Sequence, residues 1–229
     1  MRKKLALKLT YTATILLTLT LASLGSRAVT VIAQNLPPER DHCFIIDPGH
    51  GGVDGGATSC TGKLESAFNL EISLRLRDLM HFLGYQTRMI RTSDISVYTA
   101  GETIAQKKIS DLKERVRLCN ETDGAILLSI HQNTFPDSRY SGAQVFYADS
   151  DSSDLLAQKL QTALGKRSAK KAEGIYLMEH ISCPGVLIEC GFLSNYEEEA
   201  KLRNPEYQKQ LACVIAATAA EFVSSPPDT

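Results

Sequence analysis

Three short apolar runs, each ending on a residue that can do chemistry, constrain this chain more than any other feature. Cys43-Phe44-Ile45-Ile46-Asp47 runs into Pro48-Gly49-His50, residues 124–130 run into His131, and Gly185-Val186-Leu187-Ile188 runs into Glu189. Runs this short and this continuously apolar fit strands buried on both faces. Helical spacing separates them. Leu64, Phe68, Ile72, Leu76, Leu79 and Leu83 form one stripe stopped by Gly84. Residues 111–120 place Leu112, Val116 and Cys119 inward, and residues 151–164 do the same with Leu155, Leu156 and Leu160. Tyr207, Leu211, Val214, Ile215, Thr218 and Phe222 mark a last helix. Further strands are expected at 85–91 and 143–148, and a polar surface loop at 95–109. This alternation predicts an α/β fold, a single domain with a twisted, mostly parallel β-sheet and helices on both faces. Ligands of such sheets sit beyond the carboxyl ends of the strands, where His50, His131 and Glu189 fall.

The first residues do not belong to that pattern. Met1-Arg2-Lys3-Lys4 is basic, and the chain is uncharged and mostly apolar from Leu9 to Leu24. Residues 1–33 therefore read as a signal peptide, cleaved after Ala33, or as a retained membrane anchor. Residues 34–42 form a linker, 43–224 the folded domain and 225–229 a tail. Either reading of the leader places the domain outside the cytoplasm, secreted or membrane-anchored. With 25 basic and 26 acidic residues, nothing favours electrostatic capture of nucleic acid, and no nucleic-acid partner is expected. Six cysteines in an exported chain invite disulfides. Cys43, Cys119, Cys190 and Cys213 sit in apolar periodic segments and read as small hydrophobes. Cys60 and Cys183, in loops, are the more natural bridge partners.

Of five histidines, His81 suits a helix C-terminus, His42 falls in the linker and His180 in a polar loop. His50 and His131 each terminate an apolar run. With Glu65, at the first turn of a helix, they make a His-Glu-His set matching a catalytic zinc site, which uses three protein ligands and leaves one position for water. Glu65 also suits a helix N-terminus as a carboxylate opposing the dipole. Glu189, embedded in apolar residues, is costly to bury unless paired or put to use. It is either a salt-bridge partner, for instance of Arg115, or a general base and acid. Asp47 or Asp54 could orient His50 or simply cap the Pro-Gly turn. Gln132 and Asn133 are candidates for substrate amides. Arg115 and Arg91 are candidates for a substrate carboxylate, or for surface pairs with Asp94 or Glu114.

Four separated stretches, in order, resemble one family. They are Ile45 to Gly52 with Asp47-Pro48-Gly49-His50, Leu64-Glu65, Ser129-Ile130-His131-Gln132-Asn133, and Leu187-Ile188-Glu189-Cys190-Gly191-Phe192-Leu193-Ser194-Asn195. Thr92-Ser93-Asp94 and Arg115 also fit. The pattern is similar to zinc-dependent N-acetylmuramoyl-L-alanine amidases of the amidase-3 type. That resemblance implies one Zn2+ per chain held by His50, Glu65 and His131, with Glu189 as the catalytic carboxylate. It implies peptidoglycan as partner and substrate, cut between N-acetylmuramic acid and L-alanine of the stem peptide. Phe135-Pro136-Asp137 and Gly142-Ala143-Gln144 give the chain a likeness to the spore-cortex members that serve muramic-δ-lactam formation, some of which act with a lipoprotein partner around the developing spore. Gln132 and Tyr196 depart from the residues common at those places. The competing readings are a general cell-wall autolysin, a zinc peptidase of related fold, and a non-catalytic wall-binding protein.

Overall fold

The computed structural model describes residues 42–165 and 167–224; the leader, most of the linker and the tail lie outside the described residues. Six strands form one sheet in the order β2-β1-β3-β6-β4-β5. They are β1 Cys43–Pro48, β2 Gln86–Met89, β3 Ala125–Asn133, β4 Gln144–Tyr147, β5 Lys170–Lys171 and β6 Gly185–Phe192. Only the β4–β6 pairing is antiparallel. The helices are α1 Glu65–Phe82, α2 Ile104–Asn120, α3 Asp151–Leu164, α4 Tyr176–His180, α5 Tyr196–Arg203 and α6 Pro205–Ser224.

Period-two alternation divides the strand residues between two layers. Phe44, Ile46, Ile126, Leu128, Val186 and Ile188 face α1, α3 and α6 in the larger core. Ile45, Leu127 and Leu187 face the smaller layer, which includes Cys119 of α2 and Leu177 and Met178 of α4. α1 buries Phe68, Ile72, Leu76 and Met80 completely, each contributing about 1.5–3 kcal/mol of apolar transfer. Leu64 and Leu83, expected on that stripe, flank the helix and are exposed instead. Leu155 likewise faces water while Leu156 and Leu160 are buried, and Leu112 is exposed.

Other expectations need correction too. The segment 95–109 is not all loop: α2 starts at Ile104, under a capping box of Thr103 and Gln106. α5, not expected, is started by Asn195, whose side chain accepts from Glu197 and Glu198 N–H, and carries three glutamates in its first turn. His180 ends α4, its ring stacked on Tyr176 at 3.9 Å, rather than lying in a loop. All six cysteines are free thiols. Cys60 and Cys213 are exposed, and Cys183 packs with Cys119 rather than with Cys60. Among the described residues no helix is long and apolar enough to cross a membrane.

Candidate active site

On the smaller-layer face, the strand positions beyond the apolar core are polar. Asp47 and Ser129 are neighbours in register across β1 and β3, and His131 is opposite Glu189 across β3 and β6. These residues share one face because they are two or four positions from Ile45, Leu127 and Leu187. Apolar packing ends here and a polar rim begins.

His50 follows β1 with φ of 60°, the left-handed region that costs a non-glycine residue about 1–3 kcal/mol. Two buried arginines hold that turn. Arg91 donates to the carbonyls of Pro48 (2.9 Å), Gly49 (3.0 Å), Ser66 (2.8 Å) and Ser93 (3.0 Å). Arg115 donates to the carbonyls of Pro48 (3.1 Å) and His50 (2.8 Å), and pairs with Asp47 and Asp111. Neither arginine is on the surface or free for a substrate carboxylate. Arg115 also does not reach Glu189 as a salt-bridge partner. Burial, then the neighbouring Arg115 charge, pulls Arg91 down to about 10.

Glu65 stands between the two imidazoles. Its Oε2 is 3.3 Å from His50 Nε2, and its Oε1 is 3.0 Å from His131 Nδ1. The backbone N–H groups of Ala57 (3.0 Å) and Gln132 (3.2 Å), and Asn69 Nδ2 (3.3 Å), also donate to it. Burial would push its carboxyl up, but the hydrogen bonds and charges of His131 and His50 outweigh that and hold it far below the carboxylate range. Burial likewise opposes charging of His50, yet Glu65 and then Asp54 raise it to about 9. Asp54 Oδ2 is 3.0 Å from His50 Nδ1, and its Oδ1 is 2.8 Å from Lys108 Nζ. Asp54 is therefore the carboxylate that orients His50. Asp47 is fully buried, bound instead to Arg115 and to Ser129 Oγ (2.7 Å). Gln132 also turns inward, its amide on Asn69 Oδ1 at 3.2 Å. Asn133 stays partly exposed on the site edge.

One donor atom each from His50, Glu65 and His131 lies within 4.8 Å of the others. The two imidazole rings are 5.0 Å apart at 71°. Two nitrogen donors flanking a carboxylate match what zinc takes. Close backbone approach permits it: a Cβ on Gly49 would lie 2.1 Å from His131 Nε2, and one on Gly56 (φ +70°) 2.6 Å from Glu65 Oε2. The donor set fits a zinc ion.

Glu189 differs from every other acid here. Its Oε2 is buried and has no hydrogen-bond partner. Burial, reinforced by the nearby Glu65 charge, raises its carboxyl to about 7 despite His131 and His50. A carboxyl near neutrality can both accept and release a proton. A cavity of about 190 Å³ opens beside the trio, lined by His50, His131, Lys108, Leu112 and Tyr176 among others. Lys108 and Tyr176 were not expected from sequence: one sits in a stretch read as loop, the other starts a helix of only five residues.

Comparison with known proteins gives consistent results. The family model described as N-acetylmuramoyl-L-alanine amidase, Amidase_3, matches residues 44–221. The germination-specific N-acetylmuramoyl-L-alanine amidase of Bacillus subtilis is 40% identical over 181 residues, covering 75% of this chain and 76% of that protein. A structure of the CwlD amidase from Clostridioides difficile in complex with the GerS lipoprotein aligns with a TM-score of 0.77 at 35% identity, covering 80% of this chain and 98% of the other. The N-acetylmuramoyl-L-alanine amidase of Clostridium difficile 630 aligns with a TM-score of 0.72 at 30% identity, covering 81% and 98%.

Proposed function

Because the chain belongs to the N-acetylmuramoyl-L-alanine amidase family, we propose that it is a zinc-dependent peptidoglycan amidase of spore-cortex maturation, with His50, Glu65 and His131 as metal ligands and Glu189 as the proton carrier. The observation that carries this reading is the unpartnered Oε2 of Glu189 on the strand beside His131, next to three converging donors. Zinc, when bound there, supplies a Lewis acid for the scissile carbonyl and acidifies water.

The chain's own groups account for the rest. Asp54 fixes the His50 ring through Nδ1, leaving Nε2 facing Glu65, where it would be free to hold a metal. Glu65 is held ionised by its imidazole and N–H partners. Glu189, as carboxylate, takes a proton from the attacking water and passes it to the departing alanine nitrogen, so one proton moves and the amide C–N bond breaks. The spore role rests on likeness to the germination-specific Bacillus subtilis protein. The Clostridioides difficile relative is seen with a lipoprotein, and a lipoprotein partner outside the cytoplasm belongs to the same reading. The test is mass analysis of muropeptides before and after treatment, with zinc content measured alongside. Peptide-free muramic acid and one zinc per chain are expected. One zinc per chain persisting in His131→Ala would overturn the ligand assignment.

A further inference from the structure

The loop between β3 and β4 is a second built surface at the same end of the sheet. Residues 134–143 have no helix or strand, yet several bonds fix them. Phe135 N–H donates to Ser194 Oγ (3.0 Å), and Asn195 Nδ2 donates to the carbonyls of Ser138 (2.9 Å) and Tyr140 (3.3 Å). Gly142 N–H donates to Glu198 Oε1 (2.8 Å), and Arg167 Nη2 to the Ser141 carbonyl (2.7 Å). The loop continues directly from the strand carrying His131. Its anchors at 194–198 follow directly from the strand carrying Glu189. Asn133 and Phe192 are register partners where these two strands end. The platform is thus continuous with the catalytic edge.

On this fixed frame Phe135 and Tyr140 are each 46% exposed, with ring centroids 4.5 Å apart. Tyr140 lies 6.2 Å from the buried Phe192 ring, over which Arg167 sits at 5.2 Å. Both rings stay about half exposed on this fixed loop. The rim is polar: a shallow cavity of about 440 Å³ is lined by Asp137, Arg139, Tyr140, Ser141 and Arg167. Two aromatic faces inside a hydrogen-bonding rim suit a ligand with apolar faces and polar edges. A pyranose ring is such a ligand, with C–H faces and hydroxyl edges. Two rings are too small a patch for the apolar centre of a standard protein interface.

We propose that Phe135 and Tyr140 form a glycan subsite, stacking on sugar rings of the strand whose muramic acid is presented at the catalytic edge. This rests on the amidase reading above and assigns its glycan side. The experiment uses glycan strands stripped of stem peptide and co-sedimented with the purified full chain bearing Glu189→Gln, alongside kinetics of the otherwise unaltered chain on polymeric and single-sugar muramyl peptides. Phe135→Ala with Tyr140→Ala is expected to abolish glycan retention. It should raise KM for the polymer about ten-fold, while kcat and the single-sugar KM change little. Replacing Tyr140→Ala by Tyr140→Trp in the double variant should restore retention, separating ring chemistry from loop damage, and the melting temperature monitors folding. Unchanged retention and KM in the double alanine variant would overturn the subsite, as would an equal KM rise on both substrates. Absence of peptide release by the unaltered chain would instead overturn the amidase reading, which the sedimentation arm does not depend on.

Discussion

Two neighbouring regions of the sheet end hold an acid in opposite ways, one fully buried and one half-buried with a single buried oxygen. At the end of β1, Asp47 has Arg115 on one oxygen and Ser129 on the other. Burial alone would raise its carboxyl, but the Arg115 charge and these hydrogen bonds hold it below the usual range. At the end of β6, Glu189 keeps Oε2 bare and sits near 7. Both acids sit on one face of one sheet. The satisfied one builds the site, and the unsatisfied one is free to exchange protons. The more deeply buried acid is the one held ionised, so its partners outweigh its depth.

The largest effect should come from removing the bare acid. Glu189→Gln is expected to lower kcat for peptide release by about 10²–10⁴-fold while zinc affinity, read by competition with a chelating dye, stays within a few-fold. Loss of zinc along with activity would break the contrast. The satisfied acid should fail the other way. Arg115→Met strands Asp47 and is expected to cost about 3–5 kcal/mol of stability in urea unfolding, whereas a loss below about 1 kcal/mol would show that the pair is not structural.

Between these extremes, Asp54→Asn tests orientation of a ligand. Metal affinity should fall about 10–100-fold, and Asp47→Asn, where it folds, should not reproduce that fall through His50. The smallest effect concerns pH. In metal-free protein the Glu189 carboxyl sits near 7 folded against 4.5 unfolded, so the fold binds that proton more tightly. Its contribution is fully present below about pH 4.5 and is lost as pH rises through 7. Glu189→Gln should therefore be more stable than the unaltered chain at pH 8, relative to their difference at pH 4.5, by about 1–3 kcal/mol. A pH-independent difference in parallel denaturation curves would remove the basis for a proton carrier near neutrality.

The sheet and the His50, Glu65, His131 and Glu189 cluster were legible because each lies on a strong local signal, an apolar run cut short or the first turn of a periodic helix. The arginines were not. Arg91 and Arg115 read as surface or substrate groups because a charged side chain is seldom fully buried, and their acceptors are backbone carbonyls that no sequence pattern marks. The choice between Asp47 and Asp54 as the partner of His50 depended on how the glycine loop folds back, which is tertiary. α2 and α5 were partly or wholly missed although Thr103 with Gln106, and Asn195 before three glutamates, are start signals written in the chain; their low hydrophobicity obscured them. Lys108 and Tyr176 were missed because nothing local distinguishes a cavity-facing residue from any other polar surface residue.

Gly49 carries a consequence for recognising working copies of this site in other genomes. The space a side chain would need at that position is already taken by the His131 ring. A chain that retains both histidines and both glutamates but has alanine at this place cannot keep the two imidazoles at their present spacing. Such a chain would score as a complete motif with the His131 ring displaced from its present place, and a single nucleotide change in a glycine codon would be enough to produce it.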